Sequence, residues 1–151
     1  AQSWSTIAGG TNYDVKTLCS YSGKIFCGGY FTTAGYATQN YIAAWDGVSW
    51  SSVGGGTNST VAAMTVFSSS LIAGGGFTMA GSTAANNIAS WNGTSWSALG
   101  SGVNAGSGIA ALASDGAFLY AGGRIYHDRR HSCQLCRAVE RIHVDSNGRR
   151  I

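Results

Sequence analysis

Only 10% of the 151 residues are charged, whereas the chain contains 23 glycines, 5 tryptophans and no proline. Abundant apolar residues with a small net charge exclude an intrinsically disordered chain, and no apolar run approaches the roughly 20 residues that span a bilayer. The net charge is +3, but residues 1–123 hold only Lys16 and Lys24 against Asp14, Asp46 and Asp115. The basic charge lies in residues 124–151, so we expect no nucleic-acid binding by the rest of the chain.

Short apolar stretches separated by turn sequences follow one another along residues 1–123. We predict an outer strand around Trp4, followed by a first set of strands and then by a clearer second set. In that second set, 61–67 and 71–75 flank a run of three serines, which is typical of a hairpin. Next, 88–91 and 95–99 flank Asn92-Gly93, whose residues both tolerate positive φ. Each period therefore predicts four short antiparallel strands.

The same strand set recurs at a spacing of about 46 residues. Trp45–Ser51 returns as Trp91–Ser97, and Gly28–Gly35 returns as Gly74–Gly81. A third copy starts at Trp96 and extends to Gly123. The segment Asn40-Tyr41 matches Asn87 only after a slip of one residue, whereas alignment on the tryptophans places Ile42 over Ile88. Tandem repetition at this period predicts a propeller or a similar repeat architecture.

The repeated pattern is a strand ending in Gly-Gly, a strand closing in an aromatic residue, a turn, and a tryptophan. It resembles kelch and galactose-oxidase-like repeats, and more closely the tandem repeats of large secreted bacterial surface proteins. The usual Tyr-Asp of the third strand is replaced here by Trp45-Asp46 and Trp91-Asn92. The resemblance implies an all-β fold of four-stranded propeller blades. Since closure needs about four to eight blades, residues 1–123, with about two and a half, predict an incomplete β-propeller.

Residues 124–151 break the repeat directly after Gly123. Codons can be chosen for residues 131–148 so that the same bases, translated from one position later, encode TPANFVAQWNGSTWTAMG. The segment from Thr83 to Gly100 reads TAANNIASWNGTSWSALG. Synonymous codons were free to choose, but both tryptophans reappear without a gap. We therefore predict a single-base insertion or deletion near codon 123–124, and a frame-shifted, disordered tail over 124–151.

The tail also contains residues that suit a zinc site. They are His127, His131, Cys133 and Cys136, with the cysteines at CxxC spacing. A single CxxC pair is only moderately specific, and the shifted frame favours an accidental origin. We therefore expect no metal and no other cofactor. The arginines of the tail, read the same way, do not indicate a nucleic-acid-binding arm.

Catalysis finds little support in residues 1–123, which contain no His and no Glu. The three aspartates lie in turn-like positions, and Asp46 and Asp115 each precede a glycine. A Ser/His/Asp triad and a carboxylate pair with a raised-pKa acid are therefore excluded in this part of the chain. We expect a protein that is not an enzyme.

Neutral loops follow the Gly-Gly strands at 32–39 and 78–85 and carry Thr, Ser and Gln, with Asn40 and Asn86 directly after them. Loops of this kind suit glycans better than charged substrates. The candidate ligand contacts are Tyr36, Gln39, Tyr41, Thr83 and Asn86, and the two tyrosines break the repeat. We expect a non-catalytic extracellular or cell-surface module that binds glycans or surface proteins. The alternative is a structural repeat scaffold, or a fragment of a larger secreted propeller, without a ligand of its own.

An incomplete ring leaves strand edges and an inter-blade face exposed, so we expect the isolated chain to self-associate. Cys19 and Cys27 lie on consecutive predicted strands. A disulfide across this hairpin and a pair of buried free thiols are both consistent with the sequence.

Overall fold

The computed structural model describes residues 2–103, 108–124 and 137–142, and every regular element in these ranges is a β-strand. The first strands are β1 (Val15–Tyr21), β2 (Lys24–Gly29), β3 (Thr33–Ala34), β4 (Ala37–Thr38), β5 (Ile42–Trp45) and β6 (Trp50–Ser52). They are followed by β7 (Val61–Phe67), β8 (Ser70–Gly75), β9 (Met79–Ala80), β10 (Thr83–Ala84), β11 (Ile88–Trp91) and β12 (Trp96–Ala98). The last are β13 (Gly108–Ser114), β14 (Leu119–Arg124) and β15 (Arg137–Ile142). The prediction of an all-β chain is confirmed, but the predicted outer strand around Trp4 is wrong, because the first strand of the described residues begins at Val15.

Three larger antiparallel sheets contain most of these strands. The first sheet has the order β1-β2-β5-β6, the second β7-β8-β11-β12, and the third β13-β14-β15. A small hairpin, β3–β4 or β9–β10, is inserted between the second and third strands of the first two sheets. The first and second sheets are therefore two copies of one unit. Among the described residues the three sheets do not close into a ring.

Strand register settles how the two copies align. Gly28 pairs with Ile42 in the first sheet, and Gly74 pairs with Ile88 in the second. The side-chain amides of Asn40 and Asn86 each donate to a backbone carbonyl 15 residues later, at 3.1 and 2.9 Å. The repeat therefore runs without a gap, and Asn40 corresponds to Asn86 rather than to Asn87.

The hairpins at β5–β6 and β11–β12 are closed by Asx turns. Oδ1 of Asp46 accepts hydrogen bonds from the backbone N–H groups of Val48 and Ser49, both at 2.8 Å. Oδ1 of Asn92 accepts the two equivalent bonds in the second sheet. The φ of Gly93 is 99°, a conformation that glycine adopts without strain. The predicted Asn92-Gly93 hairpin is confirmed.

Neighbouring sheets pack face to face through small notches at glycines. A Cβ on Gly28 would lie 2.6 Å from Cγ1 of Val61 in the second sheet. A Cβ on Gly74 would lie 2.7 Å from Cγ2 of Ile109 in the third. We call these positions glycine notches, because each one is filled by a β-branched side chain from the first strand of the next sheet. Close packing at these notches allows Val61 to be fully buried.

Within each of the first two repeats, an asparagine ties the segment before the first strand to the start of the small hairpin. The sequence pattern had not singled it out. Oδ1 of Asn58 accepts hydrogen bonds from the backbone N–H groups of Thr78 and Met79, at 2.9 and 3.0 Å. Its Nδ2 donates to Oγ1 of Thr78 at 2.9 Å. Asn12 makes the same three kinds of bond one repeat earlier. The signal in the sequence was the recurring Gly-Thr-Asn at 10–12 and 56–58.

The third sheet takes its last strand from the predicted tail. Strand β15 pairs with β14, which itself extends to Arg124. Residues 137–142 thus form a strand where a tail without regular structure was expected. Val139 lies opposite Gly122, whereas the shifted reading aligns residue 136 with that position. The frame shift stays a prediction.

The candidate zinc ligands His127, His131, Cys133 and Cys136 lie outside the described residues.

Cys19 and Cys27 are free thiols on opposite faces of the first sheet. Cys19 lies opposite Phe26, and Cys27 lies opposite Leu18. Opposed residues of an antiparallel pair share a face and successive residues alternate, so the two sulfurs point away from each other. This geometry excludes the disulfide. Of the two thiols, Cys27 is buried and Cys19 is half-buried.

Burial raises the pKa of the Cys27 thiol from 9.0 to about 11. The folded state therefore keeps this proton at a pH where the unfolded chain has lost it. We expect the free energy of unfolding to fall as the pH rises through the window between those two pKa values. In urea titrations, Cys27→Ala should lose less stability across this window than the unaltered chain. Equal losses for the two proteins would contradict this prediction.

Candidate binding cleft

The candidate site is a cleft of about 220 Å³ on the second sheet, between two hairpins. Its polar rim consists of Ser82 and Thr83 from the β9–β10 hairpin and of Thr94 and Ser95 from the β11–β12 hairpin. None of the lining side chains is ionisable. The volume lies below the roughly 300–1,000 Å³ of sites for drug-sized ligands. The cleft therefore suits one small neutral group.

Two tryptophans form the apolar part of the cleft. The ring centroids of Trp91 and Trp96 lie 5.2 Å apart, with an interplanar angle of 52°. Both side chains are 7% exposed, so only a small part of each ring faces the cleft. Nε1 of Trp96 donates a hydrogen bond to the carbonyl oxygen of Val53 at 2.9 Å. This buried bond fixes the orientation of the indole.

Glycines allow the backbone to approach these rings. Gly54 has φ +55°, and a Cβ there would lie 2.5 Å from Cζ3 of Trp91 and 2.9 Å from Cδ1 of Trp96. Gly81 has φ +54°, and a Cβ there would lie 2.5 Å from the carbonyl oxygen of Gly54. Both the positive φ and the lack of space require glycine at these positions. The shape of the cleft therefore depends on local backbone geometry.

Three of the four rim hydroxyls are available for a ligand. Oγ1 of Thr83 donates to the carbonyl oxygen of Trp96 at 3.3 Å. Within residues 2–103, 108–124 and 137–142, the hydroxyls of Ser82, Thr94 and Ser95 form no hydrogen bond to protein. A ligand hydroxyl can therefore pair with them without displacing an existing contact.

The first sheet keeps the tryptophan pair but not its hydrogen bond. The rings of Trp45 and Trp50 lie 5.3 Å apart at 53°, nearly the same arrangement as in the second sheet. Nε1 of Trp50, however, is buried without an acceptor in the described part of the chain. The residue corresponding to Val53 is Ile7, which is 44% exposed, whereas Val53 is 1% exposed. The segment before β1 is therefore less closely packed than its counterpart.

The rim also differs between the two repeats. Tyr36 stands where the second repeat has Ser82, and Ala8 stands where it has Gly54. The Tyr36 side chain is 95% exposed, and its ring lies so close to Gly9 that a Cβ there would be 2.8 Å from Cε2. The first repeat therefore lacks the open rim that the second repeat has.

The five predicted ligand residues do not form one site. Thr83 alone lines the cleft, and Tyr36 is exposed on the first repeat. Gln39 is buried, and its Oε1 has no hydrogen-bond partner among the described residues. Tyr41 is half-buried against the core, and Asn86 donates to the carbonyl oxygen of Ser101.

Sequence reasoning missed Ser82, Thr94 and Ser95. The available signal was the change from Tyr36 to a small hydroxyl residue at the matching position.

Asp46 and Asp115 accept hydrogen bonds in turns. The backbone N–H groups of Ser49 and Val48 lower the pKa of Asp46. The Tyr120 hydroxyl, which donates at 2.7 Å, and the backbone N–H of Phe118 lower the pKa of Asp115. Both groups therefore stay ionised at neutral pH as turn acceptors. No cluster of three or more His, Cys, Asp or Glu occurs among the described residues.

Two further findings bear on the setting of this site. In the described ranges, no helix is long and apolar enough to cross a membrane. Searches against protein-family models, curated proteins and solved structures found no match to this chain. The functional interpretation therefore depends on the residues of the cleft themselves.

Proposed function

We propose that this chain is a non-catalytic binding module of the cell exterior, and that the cleft of the second sheet holds one ring of a neutral glycan. The observation that carries this proposal is the composition of the cleft. Two tryptophan rings lie beside three hydroxyls that have no hydrogen-bond partner in the described part of the chain, and none of the lining side chains given by that part is ionisable. A sugar ring offers apolar C–H groups to an aromatic surface and hydroxyls to polar partners, so it matches both halves of the cleft.

We also propose that the three sheets are blades of an incomplete kelch-like β-propeller. Strand β1 packs against β7, and β7 packs against β13, so the first strands of consecutive sheets lie side by side. This order is what a propeller requires around its central axis. Low charge and loops rich in Ser, Thr and Asn suit an extracellular surface protein. The recurrence of four antiparallel strands per repeat supports the same fold.

A structural scaffold is the second candidate function, and one observation favours it. The sheet-to-sheet packing at Gly28 and Gly74 recurs in both repeats, whereas the cleft rim changes from Ser82 to Tyr36. Repetition of the packing without repetition of the rim is expected if the units serve mainly as spacers.

Ser82→Tyr tests the glycan proposal, because it places in the rim the side chain that the first repeat carries at this position. We expect binding of neutral sugars to weaken at least tenfold, measured by calorimetry on hits from a glycan array. Thr94→Val removes one rim hydroxyl and should weaken binding by about 2–10-fold, as for the loss of one hydrogen bond. Since the cleft has no ionisable lining, affinity should not change between mildly acidic and mildly basic pH.

Ser97→Ala is the matched control, because Ser97 is exposed on β12 and does not line the cleft. It should bind as the unaltered chain does, and all variants should keep the same thermal midpoint. A glycan array without any hit would overturn the glycan proposal and leave the scaffold function. Binding that survives in Ser82→Tyr would place the sugar elsewhere on the chain.

A further inference from the structure

One face of the first sheet is apolar and uncovered. Val15, Leu18 and Ile25 are 40%, 64% and 43% exposed. The corresponding residues of the second sheet are Val61, Met64 and Leu71, which are 0%, 7% and 0% exposed. Those three residues are buried because the first sheet lies against them, within one core cluster that includes Phe26. We call Val15, Leu18 and Ile25 the knob face. These residues are apolar like their buried counterparts, but no sheet covers them among the described residues.

The opposite end of the chain presents the complementary feature. Gly28 and Gly74 form notches filled by Val61 and Ile109. The third glycine of this series is Gly122, and the nearest atom to a Cβ built there is Cβ of Ala111, at 3.9 Å. The third notch therefore has open space beside it among the described residues. The residue that corresponds to Val61 and Ile109 in the first sheet is Val15, on the knob face.

We propose that this chain associates head to tail with a second copy, the knob face of one copy covering the Gly122 side of the other. Val15 of one copy would enter the Gly122 notch of its neighbour. The contact repeats a packing mode that the chain already uses twice internally, from the first sheet to the second and from the second to the third. It joins two different surfaces, so it is heterologous and can continue from copy to copy until a ring closes.

The second copy is the occupant that the geometry favours, because the knob and the notch belong to the same packing series. The Gly122 side also carries little bulk on its first strand, where Ala111 and Ala113 are exposed. The corresponding residues of the second sheet are Ala63 and Thr65. Small side chains at these positions leave room for an incoming sheet. Lys16 on β1 is already paired with Asp14 at 3.4 Å, so its charge does not oppose the contact.

Variants at both ends test the proposal by light scattering over micromolar to sub-millimolar concentrations. The average mass of the unaltered chain should at least double across this range. Leu18→Glu should stay monomeric, because it places a charge on the knob face. Gly122→Val should also stay monomeric, because it fills the notch without a clash inside its own sheet. Circular dichroism should show unchanged strand content in both variants.

Val48→Glu is the matched control, since Val48 is 83% exposed in the β5–β6 turn and is not one of the three residues of the knob face. It should associate as the unaltered chain does. Mixing the two monomeric variants provides the sharpest test, because Gly122→Val keeps an intact knob and Leu18→Glu keeps an intact notch. The mixture should form a one-to-one complex of twice the monomer mass. An unaltered chain that stays monomeric throughout, or a mixture that stays monomeric, would overturn the proposal.

Discussion

Gly75→Ala should destabilise the chain by about 3–5 kcal/mol, the range of the most severe single substitutions. A Cβ at this position would overlap the carbonyl oxygen of Thr60, the residue before β7. That carbonyl is held in place, because it accepts a hydrogen bond from the backbone N–H of Gly76 at 3.0 Å. The β7–β8 register shifts at this point, which brings the two backbones together. Relief of the overlap therefore requires the strands to separate.

Gly76→Ala provides the control at the adjacent glycine. The nearest atom to a Cβ there is Oγ of Ser59 at 3.8 Å, an ordinary van der Waals distance. We expect its free energy of unfolding to stay within about 0.5 kcal/mol of the unaltered chain, as for other surface substitutions. Urea unfolding followed by circular dichroism measures both variants. Similar losses for the two substitutions would show that the backbone approach at Gly75 is not what the structure indicates.

Phe77→Ala should cost about 3–5 kcal/mol, as for other buried aromatic residues truncated to alanine. Phe77 is 0% exposed and belongs to the cluster that joins the first two sheets. Its removal leaves a cavity in this cluster, which also contains Ala80 and Trp96. Because the tryptophan lines the cleft, sugar binding should also weaken.

Tyr13→Ala removes an aromatic ring that is 68% exposed and should change stability by less than about 0.5 kcal/mol. Thermal and urea unfolding of the two variants compare the buried and exposed positions directly. A Phe77→Ala protein as stable as Tyr13→Ala would mean that the core cluster does not join the two sheets.

Much of the fold is predictable from the sequence because local signals recur. Asn92-Gly93 specifies a hairpin because the Asn92 side chain accepts the turn N–H groups and Gly93 adopts positive φ, and Asp46-Gly47 repeats both features. Pairing of the strand that starts at Ile88 with the strand that ends in Gly74-Gly75 follows once the turns are known. Recurrence at a fixed spacing then separates the core positions from the variable ones.

The remaining features depend on geometry that spacing alone does not fix. Whether Cys19 faces Cys27 depends on the parity of one register step, which the spacing of the two cysteines in the sequence does not fix. The cleft arises where two hairpins that are separated in sequence meet at Trp96. Nothing in the sequence therefore indicates that Ser82 and Thr94 lie close together. Asn86, a predicted ligand contact, instead binds a backbone carbonyl.

The central claim is that the cleft beside Trp91 and Trp96 binds a neutral sugar ring. Amide and indole NMR spectra of the ¹⁵N-labelled chain, titrated with a panel of neutral monosaccharides, test it most directly. The indole signals of these two tryptophans should shift saturably with at least one sugar, while that of Trp4, fully exposed and outside the cleft, should not. Absence of any shift at millimolar sugar, or shifts that persist unchanged in Ser82→Tyr, would contradict the claim.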